Sequence, residues 1–498
     1  MIEKEKGDGM KLQHLLEILP EYTLENYSNE IEITSIEMDS REVRDGSLFI
    51  CIEGYTVDGH NYVDAAVENG AVAIISEKHL TVQNVPVIIV PDTKRAMPLI
   101  ANYYYQYPSK NLRLIGVTGT NGKTSVSHYI NEILKEAGQL TGLIGTIEMK
   151  IKDQSYPVKN TTPDALFLQK NFQQMKQAGI DTVTMEVSSH ALELGRVHGT
   201  DFDIAVFTNL SQDHLDFHET MDQYLFAKSL LFSQLGSAYH PNQPKFAILN
   251  HDDPTSDFLK RVTSQPILTY GIYQPSTFQA ENIDYSSTGV SFDLVTPQGT
   301  FEIQSHLMGE FSVYNMLAAA TTAYAYGIAL EDIVKALGKM ESVKGRFQPI
   351  ANSTGIGVIV DYAHTPDSLR NVLETIKQFC SGKIHVVVGC GGDRDRTKRP
   401  LMASVACELA DQAIFTSDNP RSEDPAQILK DMTTNLEKDN YKVVEDRELA
   451  IHEAIKNAAV HDVVLIAGKG HETYQILNDR TIDFDDAKIA EKYLQDYK

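Results

Sequence analysis

The sequence predicts an α/β protein of three domains, on three observations. Short apolar runs of the strand kind alternate with helical stretches along all 498 residues. A glycine-rich turn, "GVTGTNGKTS" (residues 116–125), joins one such run to a helical pattern. In the last third, four more runs each end in a polar loop, as strands of a doubly wound parallel sheet do.

The first domain, 1–108, carries "SLFICI", "AVAIISE" and "VPVIIV" as strands, with "VDAAVENG" as a helix between them. It closes with "YYYQYPSKN", where Pro and Asn suit a linker. The second domain, 109–343, opens with "LRLIGV" and the glycine turn. A helix follows with Val126, Tyr129, Ile130, Ile133 and Leu134 on one face, and then the buried-strand patterns "DTVTMEV" and "DIAVFTNL". Near "ESVKGRFQ" the chain enters a third domain, 344–498, of Rossmann-like pattern. Here "GVIVDYAH", "HVVVGCGGDRD", "QAIFTSDNPR" and "DVVLIAGKGHE" alternate with helices. No repeat and no low-complexity tract is visible.

Composition narrows the function. Hydrophobic and charged contents of 42% and 22% are those of a soluble globular protein. A formal charge of −24 argues against nucleic-acid or anionic-membrane partners, which need a basic face. Any anionic substrate must be held by local positive groups. Cys51, Cys380, Cys390 and Cys407 lack metal-ligand spacing and are expected as buried, reduced thiols. The charged start "MIEKEKGDGMKLQHLL" is not a signal peptide, and no apolar run approaches the roughly 18 residues of a membrane helix. A soluble cytoplasmic protein without membrane insertion, and a monomer, is expected.

In a phosphate-binding loop, backbone N–H groups and a helix N-terminus surround phosphate oxygens, Lys adds charge and Ser/Thr takes Mg²⁺. Gly119, Gly122, Lys123 and Thr124 supply those parts. The general pattern puts a further glycine five residues before Gly122, where this chain has Val117.

"TGTNGKTS" resembles the ATP loop of the Mur ligases, in which that glycine is not required. "DSREV", "NTTPD", "MEVSSHAL", "TNLSQDHLDFH", "FAKSLLF", "GRF", "DYAHTPDS", "GGDRDRTKRP", "DNPRSEDP" and "AGKGHE" match the family in order across nearly the whole chain. The resemblance implies an N-terminal UDP-binding domain, a central ATPase-type domain and a C-terminal amino-acid-binding domain. The implied reaction is ATP-driven amide formation in peptidoglycan precursor synthesis. The γ-phosphoryl group passes to the D-glutamyl carboxylate of UDP-N-acetylmuramoyl-L-alanyl-D-glutamate, and an amine displaces phosphate from the acyl phosphate. Such chemistry asks for cations, metal ligands and few acid–base groups.

Site residues follow from the same resemblance. Thr118, Gly119, Thr120, Asn121, Gly122, Lys123 and Thr124 would cradle ATP, with Asn315, Arg346, Asp361 and His364 at adenine and ribose. "GEFSVYN" has Ser312 where the family has Asn, which removes one polar contact. Thr124, Glu186, His214 and Lys228 would surround Mg²⁺, and Lys123, Glu186, His214 and Lys228 form the implied catalytic set. Read as residues alone, Glu186 could cap a turn, His214 could be a loop histidine, and Lys228 could snorkel from an apolar helix. An ammonium beside Mg²⁺ is repelled; the family carbamylates the matching lysine with CO₂, making it an anion. Lys398 is a solvated loop residue or a phosphate contact.

Ser40, Thr161, Thr162, Ser188 and Arg196 are implied for the UDP-muramoyl dipeptide. The threonine pair also suits an N-cap before "PDALFLQK", with Pro163 as the first helical residue. Asp418, Asn419, Pro420 and Arg421 ("DNPR"), with Arg394, Gly468 and Glu472, resemble the pocket of family members that use meso-diaminopimelate. That substrate carries a distal carboxylate for a bidentate guanidinium, and lysine does not. Three rivals remain: a folylpolyglutamate synthetase, disfavoured by the domain before the loop; a lysine-adding ligase, disfavoured by Arg421; and a nucleotide-gated binding protein, which would not need the metal set.

Overall fold

Alternation along the strands sorts their side chains onto two faces, and the first sheet shows it directly. In the computed structural model, Leu48 and Ile50 join one buried cluster while Phe49 and Cys51 join another, as the period of two requires. The structure describes residues 9–498 except 26–29, 55–56, 240, 242, 287–288, 479 and 496–498. Most of the charged N-terminal stretch lies outside the described residues.

The chain divides into two compact units, residues 1–115 with 140–203, and 116–139 with 204–498. The first contains a five-stranded sheet ordered Thr23–Glu25, Val87–Ile89, Ala71–Ser76, Ser47–Ile50, Ser35–Glu37, parallel except for its first strand. Helix Thr93–Tyr104 buries Ile100 and Ala101 against one face. The same unit holds the parallel pair Thr141–Ile144 and Thr182–Glu186. Asn102, Ser109 and Gln169 all donate to the carbonyl of Gly199 and tie the 103–111 stretch to this unit.

In the second unit, Ile204–Phe207, Phe246–Asn250 and Ile267–Gly271 run parallel, and three strands from Phe278 to Ser305 follow in one sheet. Helix Lys123–Glu136 buries Val126, Tyr129, Ile130, Ile133 and Leu134, the face read from the sequence. Helix Glu310–Tyr326 is apolar nearly all round and is buried accordingly.

The same unit ends in a six-stranded sheet ordered Gln348–Pro349, Gly357–Asp361, Val463–Ala467, Ile384–Val388, Gln412–Phe415, Tyr441–Val443. All but the first strand are parallel. Val386, Val388 and Leu465 pack on one face, Val387, Val464 and Ile466 on the other, so helices cover both. The carboxyl ends of its strands place Asp361, the 389–394 loop, Asp418 and Gly468 along one edge, where open α/β sheets bind ligands.

Among the cysteines, Cys51, Cys390 and Cys407 are buried and free; Cys380 is free but only half-buried, at a helix end. No described helix is long and apolar enough to cross a membrane.

Candidate active site

The glycine turn leaves the strand Arg113–Thr118 and enters the helix at Lys123. Val117 is buried inside that strand, which explains why no glycine is needed there. Gly119 and Gly122 do need to be glycine. Both have positive φ, and added Cβ atoms would come within 1.8 Å of Thr208 Oγ1 and 2.6 Å of Asn315 Oδ1. The loop is braced by "TNLS", a role the sequence did not reveal. Thr120 N donates to Asn209 O at 2.8 Å, Asn121 N to Asn209 Oδ1 at 2.9 Å, and Thr208 Oγ1 to Asn121 O at 2.6 Å.

Two lysine side chains converge on this loop within an acidic protein. Lys123 Nζ donates to the carbonyls of Gly119 and Thr120, each at 2.8 Å, and Lys228 Nζ donates to Gly119 O at 2.8 Å. Lys228 does not snorkel. It is 1% exposed on helix Met221–Ser233, its Nζ 4.2 Å from the Tyr224 ring centroid. Burial holds its pKa well below the ordinary lysine value, the charge of Lys123 adds to this, and Asp213 opposes it.

Arg346 reaches the same place. Its Nη2 donates to Thr124 Oγ1 at 3.0 Å, and its guanidinium lies over the Tyr362 ring at 4.6 Å. Asp361 accepts from Phe347 N at 2.6 Å, and its burial raises the carboxyl pKa. His364 is bonded to Tyr362 O at 2.7 Å; burial, then Lys398, lowers its pKa. Asp367, missed in the sequence, accepts from Ser211 Oγ at 2.7 Å and Asn121 Nδ2 at 3.2 Å. Ser312 donates back to Met308 O, just ahead of its helix, so its hydroxyl is spent locally.

His214 sits at the N-cap of the short helix Leu215–His218 with φ of 55°. Its Nε2 lies 3.4 Å from Asp213, whose carboxyl pKa is lowered by the charges of His214 and His364 against the effect of burial.

The first unit gathers a second polar cluster. Glu186, 1% exposed at its strand end, accepts from Thr146 N at 2.8 Å and Thr146 Oγ1 at 3.1 Å, bonds to a segment 40 residues earlier and not to the turn after its own strand. Thr161 bonds Thr146, Thr162 donates to Glu186 O, Ser188 N donates to Thr162 Oγ1, and Arg196 Nη1 donates to Thr162 O. The expected threonine N-cap is wrong. Asp164 caps helix Ala165–Gln177, accepting from Phe167 N, and Pro163 precedes the helix. An ionised carboxylate suits the helix dipole better than a hydroxyl, and Thr162 is left to its other partners. Ser40 is buried in the same unit, where its carbonyl accepts from Asn69.

Across the last sheet's carboxyl edge lies a third cluster. Arg421, with φ of 53°, donates from Nη1 to Gly392 O at 2.7 Å. Asp418 is 9% exposed, and a Cβ on Gly468 would lie 2.6 Å from its carboxylate. Asn419 Nδ2 donates to Glu472 Oε2 at 2.8 Å, Pro420 joins Asn419 to Arg421, and Arg394 stays exposed. Glu423 locks this loop to its neighbour, accepting from Arg399, Arg396 and Asp393 N. Arg399 is fully buried and also bonds Asp431.

Those bonds, Arg399's first and then that from Asp393 N, hold the Glu423 carboxyl down at about 2. Because the folded value lies below the ordinary 4.5, the stabilisation is complete above pH 4.5 and is lost as pH falls towards 2. Glu423→Gln is therefore expected to lower the thermal midpoint by several degrees at pH 7, the gap to wild type narrowing below pH 4.5. Melting curves of both proteins from pH 7 to 3 check this, and a pH-independent gap contradicts it.

Thr124 in the second unit carries a hydroxyl and Glu186 in the first a carboxylate, each a hard oxygen of the kind that Mg²⁺ takes. Among the described residues no three His, Cys, Asp or Glu side chains form a metal-sized group. The loop, with Lys123 and Arg346 beside it, suits a polyphosphate.

A phosphate loop followed in the chain by a doubly wound sheet with a polar carboxyl edge is the framework of one class of ATP-dependent ligases, and the family matches place the chain in it: it belongs to the Mur ligase family. Family models match in three stretches: "Mur ligase family, catalytic domain" at 32–105, "Mur ligase middle domain" at 117–323, and "Mur ligase, glutamate ligase domain" at 345–470. In order they give the three-domain α/β architecture expected. The chain is 56% identical over 481 residues to the UDP-N-acetylmuramoyl-L-alanyl-D-glutamate--2,6-diaminopimelate ligase of Bacillus velezensis, covering 97% of this chain and 98% of that one. With the same-named protein of Geobacillus thermodenitrificans the identity is 55%, over 97% and 98%. A solved structure carrying that name superposes with a TM-score of 0.69 at 36% identity, covering 98% and 99%.

Proposed function

We propose that this chain joins meso-diaminopimelate to the γ-carboxylate of the D-glutamyl residue in UDP-N-acetylmuramoyl-L-alanyl-D-glutamate, at the expense of ATP, in peptidoglycan precursor synthesis. The observation that carries this reading is the loop Asp418–Arg421, which sets a guanidinium and a carboxylate at one sheet edge beside the Gly468 turn and binds a second carboxylate, Glu472, through Asn419. The relatives that share more than half of its residues bear the name of that ligase.

The domains are assigned as 1–108 for the UDP-sugar, 109–343 for ATP and 344–498 for the amino acid. Thr161, Thr162, Ser188 and Arg196, with Ser40, hold the nucleotide dipeptide. Thr118 to Thr124 hold the phosphates, and Asn315, Arg346, Asp361 and His364 the nucleoside. Thr124, Glu186, His214 and a carbamylated Lys228 are the residues that would hold Mg²⁺, which would supply neutralisation of phosphate charge. Lys123 steadies the charge that builds on the transferred phosphoryl group. Arg394 and Arg421 hold carboxylates of the amino acid, and Asp418 and Glu472 its distal ammonium. The protein acts as a cytoplasmic monomer without membrane insertion. Substrate labelled with ¹⁸O in the D-glutamyl γ-carboxylate tests the reaction class. An acyl phosphate delivers one label to the released phosphate, and unlabelled phosphate contradicts it.

Specificity rests on Arg421. A desolvated guanidinium left without its carboxylate costs on the order of 2–5 kcal/mol. That is discrimination of roughly 30-fold or more. Arg421→Ala is expected to lose most diaminopimelate activity without gaining lysine activity, because nothing is added to hold a bare ammonium. An Arg421→Ala enzyme that keeps the preference, measured as kcat/KM for both amino acids, rules this role out.

A further inference from the structure

Lys469, inside "AGKGHE", is fully buried just past the strand Val463–Ala467, and no role above uses it. Its ammonium donates to Asn419 Oδ1 at 3.2 Å and to Glu472 Oε2 at 3.0 Å. Asn419 Nδ2 donates to the same Glu472 oxygen at 2.8 Å, closing a triangle of three side chains from two loops. Asn419 Oδ1 also accepts from Ile476 N at 2.9 Å, which ties the triangle to the strand Tyr474–Leu477. A lysine this buried persists only where its charge is matched and its protons are bonded.

Both donors engage Oε2, so Glu472 Oε1 has no recorded partner among the described residues. The Glu472 side chain keeps 14% of its exposure. Opposite charges attract, and Arg421 lies two residues along the chain from Asn419, which already bonds Glu472. Without a competing cation, Glu472 is free to turn onto a guanidinium meant for the substrate. A second buried cation supports the turn. Arg447 pairs with Asp486 and donates from Nη2 to Ala467 O at 2.9 Å, directly before Gly468.

We propose that Lys469 is a positioning residue for amino-acid selection: its buried ammonium locks Asn419 and Glu472 together, leaving one carboxylate oxygen to receive the distal ammonium of a diamino-dicarboxylic acid. The inference rests on the diaminopimelate reading above. It concerns binding of the amino acid and not phosphoryl transfer.

The test is steady-state kinetics of the full chain with ATP, Mg²⁺ and the UDP-muramoyl dipeptide, comparing wild type, Lys469→Met, Glu472→Gln and the double variant. Lys469→Met is expected to raise KM for diaminopimelate about tenfold or more, the loss of one charged hydrogen-bond set. KM for ATP and for the nucleotide dipeptide stays within about twofold, since those sites share no partner with Lys469. Because Lys469 acts through Glu472, adding Lys469→Met to Glu472→Gln changes KM by less than about twofold. That second comparison also holds if the single Lys469 variant, whose Glu472 has lost its cation, folds poorly. A folded Lys469→Met enzyme with unchanged KM for diaminopimelate, or effects that multiply in the double variant, overturns the proposal. Wild type that makes no product with diaminopimelate overturns the substrate reading itself.

Discussion

Lys123→Ala is expected to abolish ligation while the protein stays folded. The side chain is polar and half-buried, and the apolar face of its helix is formed by other residues, so little packing is lost. What is lost is the ammonium held over the loop by the carbonyls of Gly119 and Thr120. Phosphoryl transfer works by positioning and charge neutralisation, and removing one preorganised donor typically costs about 10²–10³ in kcat. ADP release should fall by at least that factor, with an unchanged circular dichroism spectrum. A folded variant with near-normal turnover removes the ATP site from this loop.

Lys228→Ala is the second large effect, and its origin differs. A buried lysine sharing the Gly119 carbonyl with Lys123 is poorly placed to keep a proton, and its lowered pKa favours the uncharged amine. On the proposed carbamylation that amine would attack CO₂, an N–C bond forming and one proton leaving, and the resulting carboxylate would be an oxygen donor suited to Mg²⁺. The alanine variant is expected to lose about 100-fold or more in turnover, as for other lost electrostatic groups. Formate or acetate should restore part of it by filling the space with a carboxylate. No rescue, together with a free ammonium at Lys228 in Mg²⁺- and ATP-bound crystals grown with bicarbonate, counts against the carbamate.

How much of this was legible in the sequence depended on the range of the interactions. The helix after the loop was readable because its five apolar residues repeat at helical spacing, a local signal. The strands of the last sheet were readable because burial on both faces leaves continuous apolar runs. The bracing of Asn121 by Thr208 and Asn209, and its bond to Asp367, join residues 87 to 246 positions apart, and no spacing rule reaches that far. Lys469 was passed over because burial of a lysine is decided by partners in other loops. The cap of helix Ala165–Gln177 was misassigned by two residues, because Thr162 and Asp164 are both good caps and only the fold engages Thr162 elsewhere.

The central claim is that ATP hydrolysis here is coupled to attaching a diamino-dicarboxylic acid to the UDP-muramoyl dipeptide. The most direct measurement is kcat/KM for product formation by the wild-type chain with ATP, Mg²⁺ and that dipeptide, across meso-diaminopimelate, L-lysine and L-glutamate. A preference for meso-diaminopimelate over L-lysine of roughly 30-fold or more is the expected result. Equal values for the two, or ADP release that does not depend on any amino acid, would contradict it.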